Sequence, residues 1–537
     1  MVKYTSHKGK YVGSSPAKFK MLLFLIISIL ILTIIMILIN VSWSHKKIQS
    51  ISLFSTIFCF FLSTFFWIFF DRSSNDYQFI YKNIFFHKNI ETFFNNFLFF
   101  DNNLIFISPK LETLSLFVYI NKFIISFGID GISIFFILLS TFTIPLCLLT
   151  SYKKGLIYVK DYCLYLLILE IFLILSFSAI DLIAFFIFFE SILIPMFFII
   201  GIWGSRERRI KASFLFFLYT LFGSIFLFFS ILILYYDLGT TNFNILSKST
   251  IMLNKQLILW FFCYIAFSVK IPTIPFHIWL PEAHVEAPTS GSVILAGLLL
   301  KLGGYAIIRV LLIIFGKATT YYLPLTDTLA IISIIYASLT TIRQIDMKRI
   351  IAYSSVAHMN LVVLGLFSGN IQGISGSIFL MIAHAIVSSG LFFLIGVLYD
   401  KYGTRIIYYY GGLVQTMPLF STLLLIFSLA NVGLPITCNF IGELTVFSSL
   451  VDRNLYVLII ATTGVVLSVL YTMFFCNRLI FGALNLNYIS IYKDITIREI
   501  SIMFPLLFLT FFLGIFPDLI FDTILTSVSN VIEQQCF

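Results

Sequence analysis

Charge is what this sequence lacks most. Lys, Arg, Asp and Glu make up 11% of its 537 residues, against about 25% in a soluble globular protein. Hydrophobic residues make up 60%, 64 residues are Phe, and mean hydropathy is +1.03. A soluble enzyme, a disordered chain and a disulfide-rich secreted domain are excluded. Paired cysteines are lacking too. The seven Cys are scattered singly, and none has the C-x-x-C spacing of a zinc, iron–sulfur or dithiol site. They read as small buried apolar residues, and no metal site is expected. There is no Gly-rich strand–turn–helix fingerprint and no Walker motif, so no nucleotide cofactor is indicated. The net charge of +10 does not signal nucleic acid. Its basic residues are spread over short loops between apolar runs and do not form one basic tract.

What is present is a train of apolar runs along the whole chain. About 20 residues of helix cross a bilayer core, and in lipid the backbone must satisfy itself. Fourteen runs qualify, near residues 21–40, 51–70, 131–150, 162–179, 182–202, 212–235, 257–276, 290–312, 325–342, 350–367, 374–397, 418–449, 455–477 and 502–521. The expected fold is an all-α polytopic membrane protein of about fourteen transmembrane helices. Residues 1–20 hold five Lys and no acid. That resembles the start of a signal peptide, but the apolar run after it is too long for one. The tail also has no Arg, unlike a typical transit peptide, and the first run reads as a retained span.

Short-loop Lys and Arg set the orientation. Seventeen fall on one face, among them Lys46, Lys153, Arg206, Arg343, Lys348, Arg349, Lys401, Arg405 and Arg478. The short loops of the other face hold four: Lys248, Lys255, Lys317 and Arg453. The first face is expected to be cytoplasmic or matrix, with both termini opposite. The five Lys of the N-terminal tail run against this rule. The 71–130 loop also carries five basic residues, but long loops count little.

Four spans hold an ionisable residue near their centre: Glu190, Lys301, His358 and His384. A charge there costs about 2.5–3.5 kcal/mol on insertion scales, and such residues usually serve ion or proton paths. The plainer alternative is polar groups that knit helices together. Two spans are also interrupted. In the seventh, Lys270 is followed by Pro272 and Pro275; in the twelfth, Asn431, Gly433 and Pro435 precede Glu443. Proline removes a backbone donor. The freed groups need partners, most simply water, and irregular backbone at membrane depth belongs beside a polar cavity. Counted in order, spans four to eight and nine to thirteen form two units of five. The broken span is fourth in each, and Glu190 and His358 lie in second members. An odd unit length makes the second unit inverted, as in many transporters. The expected organisation is 1–130, a tail, two helices and a long loop; 131–161, a third helix and loop; 162–315 and 325–480, the two repeats; and 481–537, a loop, the last helix and the terminus.

These residues carry a resemblance. FFESILIPMFFIIGIWGSRERRIKAS (188–213), FSVKIPTIPFHIWLPEAHVEAPTSGSVILAGLLLKLGGYAIIR (267–309), RQIDMKRIIAYSSVAHMNLVVLG (343–365), MIAHAIVSSGLFFLIG (381–396) and LANVGLPITCNFIGE (429–443) resemble the subunit 4 family of proton-pumping NADH:ubiquinone oxidoreductase, respiratory complex I. Its bacterial counterpart is the chain M antiporter-like subunit. The likeness runs over roughly 125–480. It implies a fourteen-helix antiporter-like fold and a proton channel driven by redox chemistry elsewhere. FMN, iron–sulfur clusters and ubiquinone would belong to partner subunits, with none in this chain. Glu190 and Lys270 would form the ion pair of the first half-channel. Lys301 would connect the halves, His358 and His384 would lie on the axis, and Glu443 would end the second half-channel. His277 and His284 match the motif too, where an interfacial or packing role fits equally.

Sibling families share the fold: subunits 2 and 5 of the same complex, and subunits of sodium/proton antiporters. Glu443 stands where those siblings typically carry Lys, and the chain ends too soon after its last span for the long lateral helix of subunit 5. The subunit 2 and 5 type chains and lipids are the expected partners. Residues with A/T-rich codons dominate, which points to a mitochondrial inner membrane; a bacterial cytoplasmic membrane is the alternative.

Overall fold

The computed structural model describes residues 22–40, 43–82, 126–152, 157–484 and 492–535. The basic N-terminal tail, most of the 71–130 loop, and Lys153 and Lys154 lie outside them. In chain order the helices are α1 (Leu22–Ile39), α2 (His45–Ile68), α3 (Gly131–Thr150), α4 (Val159–Ser178), α5 (Leu182–Trp203) and α6 (Arg209–Leu238). There follow α7 (Leu253–Lys270), α8 (Trp279–Glu286), α9 (Thr289–Leu312), α10 (Gly316–Arg343), α11 (Met347–Leu366) and α12 (Ile371–Tyr402). The last five are α13 (Pro418–Val432), α14 (Cys438–Arg453), α15 (Leu455–Ile480), α16 (Ile497–Ile515) and α17 (Asp518–Gln535). Among the described residues, twelve helices are long and apolar enough to cross a membrane. The pairs α7–α8 and α13–α14 are the two broken crossings. A small antiparallel pair, β1 (Gln78–Lys82) and β2 (Ser126–Ile129), joins the two ends of the loop between α2 and α3.

One expected span is shorter than the apolar run suggests. The 502–521 run ends as helix at Ile515; Pro517 interrupts it, and α17 begins at Asp518. Pro lacks the N–H that would continue the ladder. α17 packs beside the start of α3, where the Ser527 hydroxyl accepts from the Gly131 amide at 3.1 Å.

Both breaks fall where proline or glycine demands, and the freed groups find protein partners. In the α7–α8 break the Trp279 indole donates to the Val269 carbonyl at 2.8 Å. Asn360 Nδ2 donates to the Pro272 carbonyl at 3.2 Å, and the Ile274 amide donates to Ser333 Oγ at 3.0 Å. In the α13–α14 break, Gly433 has φ +85° and its amide turns back to the Ala430 carbonyl at 3.2 Å. The Leu434 amide reaches the Leu429 carbonyl at 3.1 Å. Part of the freed backbone at both sites is thus met by protein donors and acceptors.

Two further irregularities bear on function. α5 is interrupted at Ile192, immediately after Glu190 and Ser191. Pro195 has no N–H for the Ser191 carbonyl four residues back, which kinks the helix there. α9 contains two π-helical stretches, Leu295–Leu299 and Ile307–Leu312, with Lys301 between them. Such bulges leave backbone carbonyls without their usual i+4 partner.

Burial sorts the helices. α9 and the membrane-depth part of α12 are enclosed, α11 nearly so, while α2, α6 and α15 turn large apolar side chains such as Phe54, Phe229 and Leu470 outward. Outward apolar residues suit a chain whose solvent is lipid. The enclosed helices α9, α11 and α12 are the ones that carry Lys301, His358 and His384.

Candidate functional site

The central residues meet in one row. Lys301 is fully buried, and its ammonium donates to the Ala296 carbonyl at 2.6 Å. Ala296 lies in the first π-helical stretch, and its carbonyl faces the Lys301 ammonium. Lys301 Nζ also lies 2.8 Å from His384 Nδ1 on α12. The His384 and His358 rings are 5.8 Å apart, centre to centre. His358 Nδ1, on α11, lies 3.2 Å from Glu443 Oε1 on α14. Four helices thus supply a row of buried titratable groups, Lys301–His384–His358–Glu443, with contacts of hydrogen-bond length at its two ends and a 5.8 Å ring-to-ring step between the imidazoles. No carboxylate pairs with Lys301 among the described residues; its partners are a carbonyl and an imidazole. A buried group of this kind must be hydrogen-bonded or it is costly, and the row partners Lys301, while His358 Nε2 has no partner among the described residues.

Glu443 also shapes the break behind it. A Cβ added at Gly433 would lie 2.9 Å from Glu443 Oε2. Glycine is needed there twice, for its left-handed φ and for the carboxylate's approach. Beside His358 and Glu443 lies a cavity of ≈ 20 Å³ that is also lined by Leu361, Ser468 and Tyr471, room for about one water molecule.

The first half is arranged differently. Glu190 sits at the α5 kink with Ser224 as its hydroxyl neighbour and one oxygen unpartnered among the described residues. Lys270 ends α7 at the helix break, and its ammonium lies 4.3 Å from the centre of the Phe189 ring. The two face each other electrostatically, but no ion pair within 4.0 Å joins them among the described residues. The expected pair is open in this structure, with the Phe189 face taking the cation by its ring quadrupole. Gly303 lets α9 approach this site; a Cβ there would lie 2.6 Å from Ile271 Cγ1 and 3.3 Å from Lys270 Cβ.

Comparison with known proteins fits this arrangement. Residues 179–470 match the family described as the transmembrane part of NADH:quinone oxidoreductase and Mrp antiporters. The NADH-ubiquinone oxidoreductase chain 4 of Marchantia polymorpha is 45% identical over 92% of this chain and 93% of its own length. That of Arabidopsis thaliana is 50% identical over 76% of this chain and 83% of its own. The chain belongs to the NADH-ubiquinone oxidoreductase chain 4 family.

The fold agrees. A chain of respiratory complex I from Thermus thermophilus superposes with a TM-score of 0.78 at 24% identity, covering 96% of this chain and 99% of that one. A chain of an archaeal membrane-bound sulfane sulfur reductase superposes with a TM-score of 0.77 at 19% identity, covering 97% and 100%. Within this chain 4 fold, three residues stand out that sequence reasoning passed over or placed elsewhere. His284 is fully buried and stacks on Phe392, ring centres 4.8 Å apart, with both ring nitrogens unpartnered among the described residues. Its charged neighbours are Lys348 and Lys301, so it lies inside the bundle. Lys348 counts in the sequence as a loop charge, yet it is buried, donating to the Ala287 carbonyl at 2.8 Å and Ser292 Oγ at 3.3 Å. Glu170, at the middle of α4, is a fifth central ionisable residue. Its position nine residues into a 162–179 run was the signal that could have revealed it.

Proposed function

We propose that this chain is a membrane-arm subunit of respiratory complex I that moves protons across the membrane while partner subunits carry electrons from NADH to ubiquinone. The buried Lys301–His384–His358–Glu443 row is the observation that carries this reading. The Lys301 ammonium gives one proton to His384 Nδ1, becoming a neutral amine. His384 passes one on toward His358, and His358 gives one to the Glu443 carboxylate 3.2 Å away. Each transfer lies within a hydrogen bond or one intervening water of the next acceptor, the reach such transfers need. Lys348 and His284 supply the approach to Lys301 from the basic face. Opening or closing the Glu190–Lys270 pair sets whether Lys270 holds its proton, since a nearby carboxylate favours the charged amine and burial opposes it.

On this reading FMN, iron–sulfur clusters and ubiquinone reside in partner subunits. The neighbours are the subunit 2 and subunit 5 type antiporter-like chains and lipid, in the mitochondrial inner membrane. A sodium/proton antiporter subunit is the other reading of the same row, and it needs no electron-transfer partner. The test is to purify the native assembly through a tag on this chain and record its spectrum. Flavin and iron–sulfur absorbance, bleached by NADH, is the expected result. An intact assembly without either would favour the antiporter reading.

A further inference from the structure

A second polar seam crosses the bundle away from the central row. It lies where α2, α3 and α4 meet. Near the basic face Gln49 Nε2 donates to the Ser151 carbonyl at 2.7 Å, and the Cys163 thiol has the Ser52 and Ser151 hydroxyls as partners. Deeper, Ser63 and Thr141 share a hydrogen bond of 2.8 Å between α2 and α3. Ser52, Cys59 and Ser63 are all buried on one side of α2, spaced at helical repeats. Polar residues of this kind are common between membrane helices, where they bond their own backbone and let helices approach. Ser52 and Ser63 do donate to carbonyls of their own helix, at 2.9 and 2.7 Å. They retain lone pairs toward the seam.

Glu170 makes this seam more than packing. It follows Cys163 by seven residues, two turns of α4, and so shares its face. It is fully buried, and neither carboxyl oxygen has a hydrogen-bond partner among the described residues. Cys59 of α2 is its titratable neighbour, which places the carboxyl in the seam. It lies eleven residues beyond Val159, about 16 Å of helix, near the middle of the bilayer core. A buried carboxyl without partners is expensive. Water admitted between the hydroxyls is the partner the seam can supply.

We propose that the α2–α3–α4 seam is a second proton path, leading from the basic face past Gln49, Ser52 and Cys163 to Glu170, which takes up one proton from that side and releases it toward the Ser63–Thr141 pair on the other. The carboxylate gains the proton from seam water on the basic side, becoming a carboxylic acid, and gives it up again to seam water on the Ser63–Thr141 side. This rests on the proton-translocating reading above and adds a branch that the central row does not contain.

Membrane vesicles holding the assembled complex would be compared for the wild type, Glu170→Gln, Ser52→Val and Glu443→Gln at equal complex content. The rate of NADH-driven proton uptake is expected to fall about 10-fold in Glu170→Gln, less than the ~10²-fold lower end for a directly positioned acid or base, because the central row remains. Ser52→Val, which plugs the seam without touching the carboxyl, should fall with it. A deuterium-sensitive carboxylic C=O band in the NADH-induced infrared difference spectrum should be present in the wild type and missing in Glu170→Gln. A brace would leave proton uptake intact in Gln and show no such band. Full uptake in Glu170→Gln beside failed uptake in Glu443→Gln overturns the branch and leaves the parent reading standing; full uptake in both overturns both. If Glu170→Gln does not assemble, wild-type uptake in Ser52→Val overturns the branch by itself.

Discussion

At the scale of single residues, the account turns on which groups can change charge. Lys301 has a carbonyl and an imidazole as partners, so nothing holds it permanently as a cation. An amine can lose its proton in such a place, whereas a guanidinium effectively cannot. Lys301→Arg is therefore expected to fail almost as badly as Lys301→Ala in NADH-driven proton pumping, and near-complete rescue by Arg would show a fixed charge instead. Glu190 calls for a different comparison. With its pair to Lys270 open in this structure, its removal should spare assembly. Glu190→Gln is expected to lower proton pumping and coupled NADH:quinone activity severely at normal complex content. Normal pumping in a well-assembled variant would remove Glu190 from the channel.

At the scale of elements, the irregular helices place the charges. Pro195 kinks α5 beside Glu190, the α7–α8 break follows Lys270, the π-helical stretch before Lys301 holds its carbonyl acceptor, and the α13–α14 break faces Glu443. The two proline-marked breaks were legible in the sequence because Pro and Gly act locally. So were the apolar spans, whose length the bilayer dictates. The π-helical stretches carry no Pro and were not legible; they depend on how α9 packs between α7 and α12. The Lys301–His384 contact joins residues 83 apart, and no helical period reports such a meeting. Gly433 tests the link between element and charge. Alanine there must adopt a left-handed φ, at about 1–2 kcal/mol, and its methyl would meet the Glu443 carboxylate. Gly433→Ala should assemble in reduced amount and pump less per assembled complex. Equal pumping per complex would mean that the position of Glu443 is not critical.

At the scale of the whole molecule, ionic clamps on the basic face tie the two halves together. Arg405, from the loop after α12, is fully buried, with Glu286 of α8 at 3.6 Å and Asp346 of the α10–α11 turn at 3.8 Å. It also donates to the Val285 carbonyl and to Ser205 Oγ. Arg349 adds a bond of 2.6 Å to Glu282. Removing one partner of a buried pair costs about 3–5 kcal/mol because the other charge is stranded. Arg405→Ala is expected to deplete the assembled complex on native gels, and undiminished complex content would show that the clamp is dispensable. With the halves held so, the central row runs from Lys301 to Glu443 in one line of buried groups, and the terminal carboxylate must accept and release protons. Glu443→Gln keeps the shape beside Gly433 and a hydrogen bond to His358 but cannot titrate, whereas Glu443→Asp titrates with a shorter reach. The most direct measurement is NADH-driven proton pumping by these two variants in membranes of equal complex content. Asp retaining clearly more pumping than Gln is the result this account predicts; Gln pumping as well as the wild type would contradict it.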